Sequence, residues 1–566
     1  MNFHGLAPFG ATPNERQLMH YGFAKKAFIH FGMNTFTNCE WGNGLEDPKS
    51  FAPTAQDPRQ WVRSLKACGF ELIILTAKHH DGFCLWPTKV SEHSVKNSDY
   101  KGGGGDVVKE FTDACKEYNV KAGLYLSPWD RNSPYWGDDR YNDYYCAQLE
   151  ELLTNYGEIY EIWWDGAGST ETSYDWARWA SLIRKLQPKA SIFGSLGASS
   201  FVDFHWVGNE QGRCCENHYA SIDLEALERE DTRRLYTGRQ GAPHYIPSET
   251  DVSIRPGWFW RKEQNEQVKS TRHLNKIWFE SVGRNSMLLL NFPPDQRGLL
   301  FEKDLENAMD SHRRISKMLS INYAADAKIE ADSILCPACS PDKALLADDN
   351  LYYAAEKGSH RACLTLELPQ EQRINTLILE EVIELGERIC AFSLEGLTEE
   401  GATLLFEGGS IGNCRACKIP EGNYRRLRLT LEGKAEPTLR TLGLHYFEDA
   451  KEEEPASLIG VNLAELPGAS VSFSEDQKEM NIHFGGIYPF NYLRFQIEAA
   501  GEYELLAFDG TDFQSVFKGA TEKISSVKLF LDQMQEGSYQ IKLRATAPLS
   551  LAAGAQVMIH PGMQKR

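Results

Sequence analysis

The order of hydrophobic and polar positions divides the chain into two kinds of text. Between about residues 27 and 320, short apolar runs rich in β-branched residues alternate with stretches whose apolar positions recur at helical spacing. This is the pattern of parallel strands joined by crossover helices. The runs AFIHFGM (27–33), LIILTAK (72–78), VKAGLYLS (120–127), EIWWDGA (161–167), ASIFGS (190–195), DFHWVGN (203–209), DVSIRP (251–256) and SMLLLNF (286–292) read as strands. Eight of them predict a (β/α)8 barrel. In DPRQWVRSLKACGF, Asp57 is an N-cap, Pro58 opens the first turn, Trp61, Val62, Leu65 and Cys68 share a face, and Gly69 stops the helix. GDVVKEFTDACKEYN repeats the pattern with Val107, Val108, Phe111 and Cys115, and a further helix runs around Cys146 to Tyr156.

Beyond a helical stretch at 303–319, alternating runs such as ACLTLELP, NTLILEEV, YRRLRLTLEG and LRTLGLHYF are separated by Gly, Pro and charged turns. They predict a β-sandwich over 326–449. The acidic, unpatterned AKEEEPAS (450–457) reads as a linker, and alternation resumes in VSFSEDQKEMNIHFGG, NYLRFQIE, EYELLAF, VKLFLDQ and YQIKLRAT. The expected organisation is a barrel over 1–325, a sandwich over 326–449 and a second β-domain over 450–566.

Composition narrows the function classes. With 566 residues, 42% hydrophobic and 25% charged, the chain can bury large cores and is unlike a disordered protein. A net charge of −19 argues against nucleic acid or anionic lipid as partner. No apolar run is long enough to span a membrane, and MNFHGLAPFGATP lacks the charged start and apolar core of a signal peptide. The odd count of 13 cysteines argues against a disulfide framework. The pairs Cys336/Cys339 (CPAC) and Cys414/Cys417 (CRAC) lie too far apart for a compact zinc module and read as loop cysteines, with metal or disulfide as the alternative.

A barrel's site is built at the carboxyl ends of its strands. Those ends offer His30, then Glu40 and Trp41; His79, His80 and Trp86; Tyr125, with Trp129 and Asp130; Trp163, Trp164 and Asp165; Trp206 and Glu210; Glu249 and Arg255. Rings that stack on C–H faces, mixed with carboxylates, histidines and an arginine, suit a saccharide, and two carboxyl groups suffice to hydrolyse a glycosidic bond. Plainer readings stand beside this one. Asp165 can open an Asp-Gly turn, Glu210 can be a solvated loop residue, and His79 and His80, as strand neighbours, can be one core and one surface histidine. A metal hydrolase is disfavoured because His30 lacks an HxH partner. GGGG (102–105) reads as a flexible loop before the N-cap Asp106, which repels phosphate, and Trp258, Phe259 and Trp260 lean towards packing.

Taken together, AFIHFGMNTFT, EWGNG, LTAKHHDGFCLWPTK, GLYLSPWDRN, EIWWDGA, WVGNEQG, ETDVSIRPGWF and SVGRNSMLLLNFPP resemble glycoside hydrolase family 29, the α-L-fucosidases, over nearly all of residues 15–300. GNEQG and DVSIRPGWF resemble the subgroup that prefers α-1,3 and α-1,4 linkages on branched, Lewis-type glycans. The resemblance implies a retaining mechanism without metal or cofactor. Asp165 is the implied nucleophile and Glu210 the implied general acid/base, with Glu40 or Glu249 as competitors for the second role. His30, His79, His80, Tyr125, Trp163 and Arg255 are the implied fucose contacts, with Glu40 and Trp41 at the rim. On this view Arg255 and the histidines keep Asp165 ionised and Trp206 keeps Glu210 protonated. Trp164 stands where the family often has Phe, and Ser248 and Thr250 where small residues or Cys are common. The implied partner is a fucosylated oligosaccharide or glycoconjugate, and the implied location is periplasmic or extracellular. The alternatives are an inert carbohydrate-binding protein and a related glycosidase of altered sugar specificity. The C-terminal domains resemble galactose-binding or discoidin-like sandwiches, without a sugar-binding motif, and a packing buttress is as good a reading.

Overall fold

A computed structural model describes residues 2–167, 174–194, 197–229, 231–346 and 348–451. Beyond these it describes 470–483, 490–497, 500–508, 513–521, 525–535, 540–550 and 557–559. Strands β1 (Lys25–Ile29), β2 (Leu72–Lys78), β3 (Lys121–Leu126), β4 (Glu161–Trp163), β5 (Ser191–Gly194), β6 (Phe204–Trp206), β7 (Ser248–Ser253) and β8 (Met287–Asn291) are the eight predicted ones. Each pairs in parallel with the next in the chain, and β8 returns to β1 through Lys25↔Leu288 to Phe28↔Asn291, closing the barrel.

Helices α1 (Pro58–Ala67), α2 (Val107–Glu117), α3 (Arg140–Asn155) and α4 (Trp176–Leu186) follow β1 to β4, while α5 (Thr271–Glu280) and α6 (Glu302–Leu319) follow β7 and β8. The caps are the predicted ones: Asp57 accepts from Arg59 N and Asp106 from Lys109 N, and Gly69 takes a φ of 79° that a side chain would resist. Between β5 and β6 there is no helix among the described residues, and a connection this short leaves little room for a crossover helix. Between β6 and β7 run two short helices, Leu224–Glu228 and Thr232–Thr237.

The next strands, β9 (Lys328–Ala331), β10 (Arg361–Glu380), β11 (Ile389–Thr398), β12 (Gly401–Gly408), β13 (Arg415–Gly433) and β14 (Thr441–His445), form one antiparallel sheet in the order β9-β10-β13-β11-β12, with β14 also on β10. The alternation of ACLTLELP against YRRLRLTLEG becomes Leu364 opposite Leu429 and Leu366 opposite Leu427, all buried in one core. This sheet and the barrel belong to one compact unit. Their seam centres on the buried Glu387, which accepts from Ala220 N (2.7 Å), Ser221 N (3.0 Å), Ser221 Oγ (2.7 Å) and Asn285 Nδ2 (2.7 Å).

The second unit holds a five-stranded sheet (Ser470–Phe473, Glu479–His483, Gly501–Phe508, Phe513–Thr521, Gln540–Ala545) and a four-stranded one (Phe490–Ile497, Ser525–Gln535, Leu549–Ser550, Val557–Ile559). The expected linker lies, from residue 452 on, outside the described residues. Among the described residues no helix is long and apolar enough to cross a membrane.

Candidate active site

Alternate residues of a barrel strand face its interior. β1 therefore presents Lys26 and Phe28 and then His30; β4 presents Glu161 and Trp163 and then Asp165; β7 presents Glu249, Asp251 and Ser253. These make three levels. Lowest, the buried Lys26 Nζ donates to Glu161 Oε2 at 2.6 Å and to Glu249 Oε2. Above it Trp163 lies flat on Phe193, with centroids 4.0 Å apart and planes 6° from parallel, and its Nε1 donates to Glu249 Oε1 at 2.9 Å. Highest is a pocket, open at its rim. Phe28, His30, Glu40, Trp41, His79, His80, Trp163, Asp165, Phe193, Trp206, Glu210, Asp251 and Trp258 line it.

Asp165 is anchored and reachable. Its Oδ1 accepts from Ala167 N at 2.9 Å and its Oδ2 from Tyr125 OH at 3.1 Å, while 29% of its side chain stays exposed. Burial, then the charge of Asp165, push the Tyr125 hydroxyl well above its ordinary range, so it remains a donor. Its neighbour Trp164 turns the other way, into a packed cluster with Trp176 and Trp179.

The histidines are neutral because burial lowers them: His30 to about 3, His80 to about 4 and His79 well below its usual value. Their partners choose the tautomers. Ser127 spends its proton on the Trp129 carbonyl (2.7 Å), so His80 Nδ1–H donates to Ser127 Oγ at 2.8 Å. His80 Nε2, 3.7 Å from Asp165 Oδ2, is then an acceptor. His30 Nδ1–H likewise donates to Asn291 Oδ1 at 2.9 Å, since the Asn291 amide donates to the Trp258 carbonyl at 2.8 Å. His79 Nδ1 faces the Asn34 amide at 3.4 Å, which leaves its Nε2–H as a donor. One donor and two acceptors are the set that neighbouring hydroxyls require.

Trp258 Nε1 points to Glu210 Oε2 at 3.4 Å, and Trp206 Nε1 donates to Asp251 Oδ1 at 3.1 Å. Burial first, and then the charge of Glu210, push Asp251 well above the usual carboxylate range. Glu40 joins two loops: its Oε1 accepts from Trp258 N at 2.5 Å and its Oε2 pairs with Arg261 Nη2 at 2.9 Å. Among the described residues no three metal-ligating atoms converge in the pocket.

A carboxylate held by a tyrosine, a second carboxyl lining the same pocket and an aromatic floor form the layout of a glycosidase. The family model for alpha-L-fucosidase matches residues 16–322, more than half of the chain. The chain belongs to this family, glycoside hydrolase family 29. It is 38% identical over 451 residues to alpha-L-fucosidase 1 of Arabidopsis thaliana, covering 77% of this chain and 88% of that one. A putative alpha-L-fucosidase from Bacteroides thetaiotaomicron superposes with a TM-score of 0.77 at 41% identity, covering 78% of this chain and 99% of its own. A GH29 fucosidase from Ruminococcus gnavus, crystallised in complex with fucose, gives 0.73 at 28% identity, covering 79% and 97%.

Within this fucosidase fold the expected residues fall into three groups. His30, Glu40, Trp41, His79, His80, Trp163, Asp165 and Glu210 line the pocket, and Tyr125 stands behind Asp165. Both His79 and His80 are buried at the pocket because they follow the end of β2 at Lys78, where strand alternation no longer separates them. Arg255 lies elsewhere and requires a correction. Its guanidinium is fully buried against Asp304 of α6, with Nε–Oδ2 at 2.8 Å and Nη2–Oδ1 at 2.9 Å, and stacks over Phe301. It braces the barrel wall and does not line the pocket. Glu249, a competitor for the acid/base role, is consumed one level below by Lys26 and Trp163. Trp258 lines the pocket, against the packing expectation for its cluster, while Phe259 packs edge-on to His30 and His79. Asp251 was not anticipated, although the step from Glu249 to Asp251 along one strand places both inside the barrel.

Proposed function

We propose that this protein is a retaining exo-α-L-fucosidase that releases terminal α-1,3- or α-1,4-linked L-fucose from branched, Lewis-type oligosaccharides or glycoconjugates. The observation that carries the reading is the Asp165 carboxylate, fixed through both oxygens yet partly exposed in a pocket that Glu210 also lines. Asp165 attacks C1 of the fucosyl residue as the C1–O bond to the leaving sugar breaks, and Glu210 passes its proton to that oxygen. Glu210 then takes a proton from water, whose oxygen attacks C1 from the opposite face and frees Asp165.

The neighbours serve these steps. Tyr125 positions Asp165, and His30, His79 and His80 read the ring hydroxyls as acceptor, donor and acceptor. Trp163, Phe28 and Phe193 offer the apolar cover that the C6 methyl group requires. Glu40 holds the Trp258 loop at the rim, beside Trp41. The linkage preference rests on the GNEQG and DVSIRPGWF strings. With it we place domain boundaries near 325 and 449, and export to a periplasmic or extracellular space, which cell fractionation tests.

The experiment is free fucose released from a Lewis-type branched trisaccharide and, in parallel, from a linear α-1,2-fucosylated glycan. Release from the branched substrate alone is expected. Release from both removes the linkage preference, and release from neither by folded protein overturns the activity.

A further inference from the structure

Apart from the pocket, a group of soft ligands is drawn together from distant parts of the chain. Cys336 and Cys339 bracket one 3-10 turn, closed by Cys339 N–H to the Cys336 carbonyl at 2.9 Å. The N-terminal segment is tied across this region: Tyr352 OH donates to the Asn2 carbonyl at 3.0 Å, Arg388 Nη1 to Ala7 O at 2.8 Å, and Phe9 N to Leu385 O at 2.8 Å. His4 is carried onto the cysteine pair, so that a ring nitrogen and both sulfurs lie within 4.8 Å of one another. Among the described residues it is the one group of three or more metal-capable side chains. Cys414 and Cys417 take no part in it, and Cys417 is buried in the sheet core.

The backbone is shaped for this contact. His4 has a φ of 51° and Gly5 a φ of 80°, and a left-handed histidine is uncommon enough to need a reason. We propose that His4, Cys336 and Cys339 bind a zinc ion, with water as fourth ligand. Thiolate and imidazole together select zinc among the common divalent ions. Zn–S and Zn–N bonds of about 2.3 and 2.0 Å put tetrahedral ligand atoms roughly 3.5–3.8 Å apart. With every pair within 4.8 Å, the atoms need to close by at most about 1 to 1.3 Å, through rotation of the exposed His4 side chain and of the two cysteine side chains. Each thiol gives its proton to solvent as its Zn–S bond forms, so two protons leave per ion and nothing is oxidised. The ion joins residues 4 and 336 and so clamps the N-terminal segment to the sheet that follows the barrel.

The test is titration of the full chain, purified with reductant and freed of metal, with Zn²⁺ and with Co²⁺ as a spectroscopic probe. One zinc per chain, a cobalt–thiolate charge-transfer band and a zinc-dependent rise in Tm are expected. Cys336→Ser/Cys339→Ser should abolish all three, His4→Ala should weaken zinc binding at least about tenfold, and Cys39→Ser should change nothing. No stoichiometric zinc, zinc retained by the double-serine variant, unchanged affinity in His4→Ala, or a Cys336–Cys339 disulfide with no zinc uptake after reduction would each overturn it. His4→Ala alters only an exposed side chain near the terminus, so its result stands even if the serine variants fold poorly.

Discussion

Asp165 and Glu210 differ in what their loss should do. If Glu210 is the proton donor, Glu210→Ala slows turnover of an oligosaccharide by about 10²–10⁴-fold. With a dinitrophenyl fucoside, whose leaving group needs no proton, fucosylation should stay near the wild-type rate; equal losses on both substrates would remove Glu210 from that role. A second residue-scale expectation concerns pH. His218 Nδ1–H donates to Tyr236 O at 2.9 Å and its Nε2 meets Ser248 Oγ at 2.7 Å, away from the pocket, and burial lowers it to about 3. The folded state then binds fewer protons than the unfolded one between pH 6.5 and about 3. The contribution is complete above 6.5 and is lost as pH falls toward 3, by about 1.4 kcal/mol per unit. Urea unfolding of wild type and His218→Gln across pH 7 to 4 should show that difference in slope, and parallel curves would contradict it. That Asp165, Glu210 and the histidines share one pocket is readable from the long distinctive strings they sit in. Arg255 misled because a buried arginine beside strand ends is equally suited to a distant carboxylate, and Asp304 lies in a helix the motif does not reach.

Among the elements, β7 shows why some of the site escaped the sequence. Its interior face carries Glu249, Asp251 and Ser253, three polar side chains within a buried strand, so hydrophobic alternation gave no hint of its direction. The inward set becomes evident only from the pairing of Glu249 with Trp206 and Met287 on the flanking strands. The loops that follow β1 and β7 are joined by Glu40 through Trp258 N and Arg261. Burial raises the Glu40 carboxyl and the Arg261 charge opposes this, so the clasp depends on a charged pair that is largely removed from water. Glu40→Ala should free the Trp258 wall, raising KM about tenfold or more while kcat on an aryl fucoside falls less. A fall in kcat alone would instead place Glu40 in the chemistry.

For the whole molecule, the sheet after the barrel acts as a buttress. Glu387 reaches from it to four donors on the barrel side, and Ala416 N donates to Gly283 O at 2.9 Å. Each buried donor left unpaired costs about 1–3 kcal/mol. A chain cut after residue 325 is therefore expected to be insoluble or unfolded, whereas one cut after 449 keeps the seam and should retain turnover of an aryl fucoside. An active, monodisperse 1–325 fragment would contradict the buttress. Barrel and sheets were both readable from the change between helical spacing and strict alternation near residue 320. The seam was not, because Glu387 looks in sequence like any turn glutamate and its partners lie more than 100 residues away.

The central claim is double displacement through Asp165. The most direct measurement is the product formed by Asp165→Gly from an activated aryl α-L-fucoside in the presence of azide, read by NMR. With the Asp165 carboxylate removed, azide in its place gives a single displacement, and β-L-fucosyl azide is expected from an otherwise nearly inactive enzyme. An α-configured azide, or hydrolysis at near wild-type rate without azide, would contradict it.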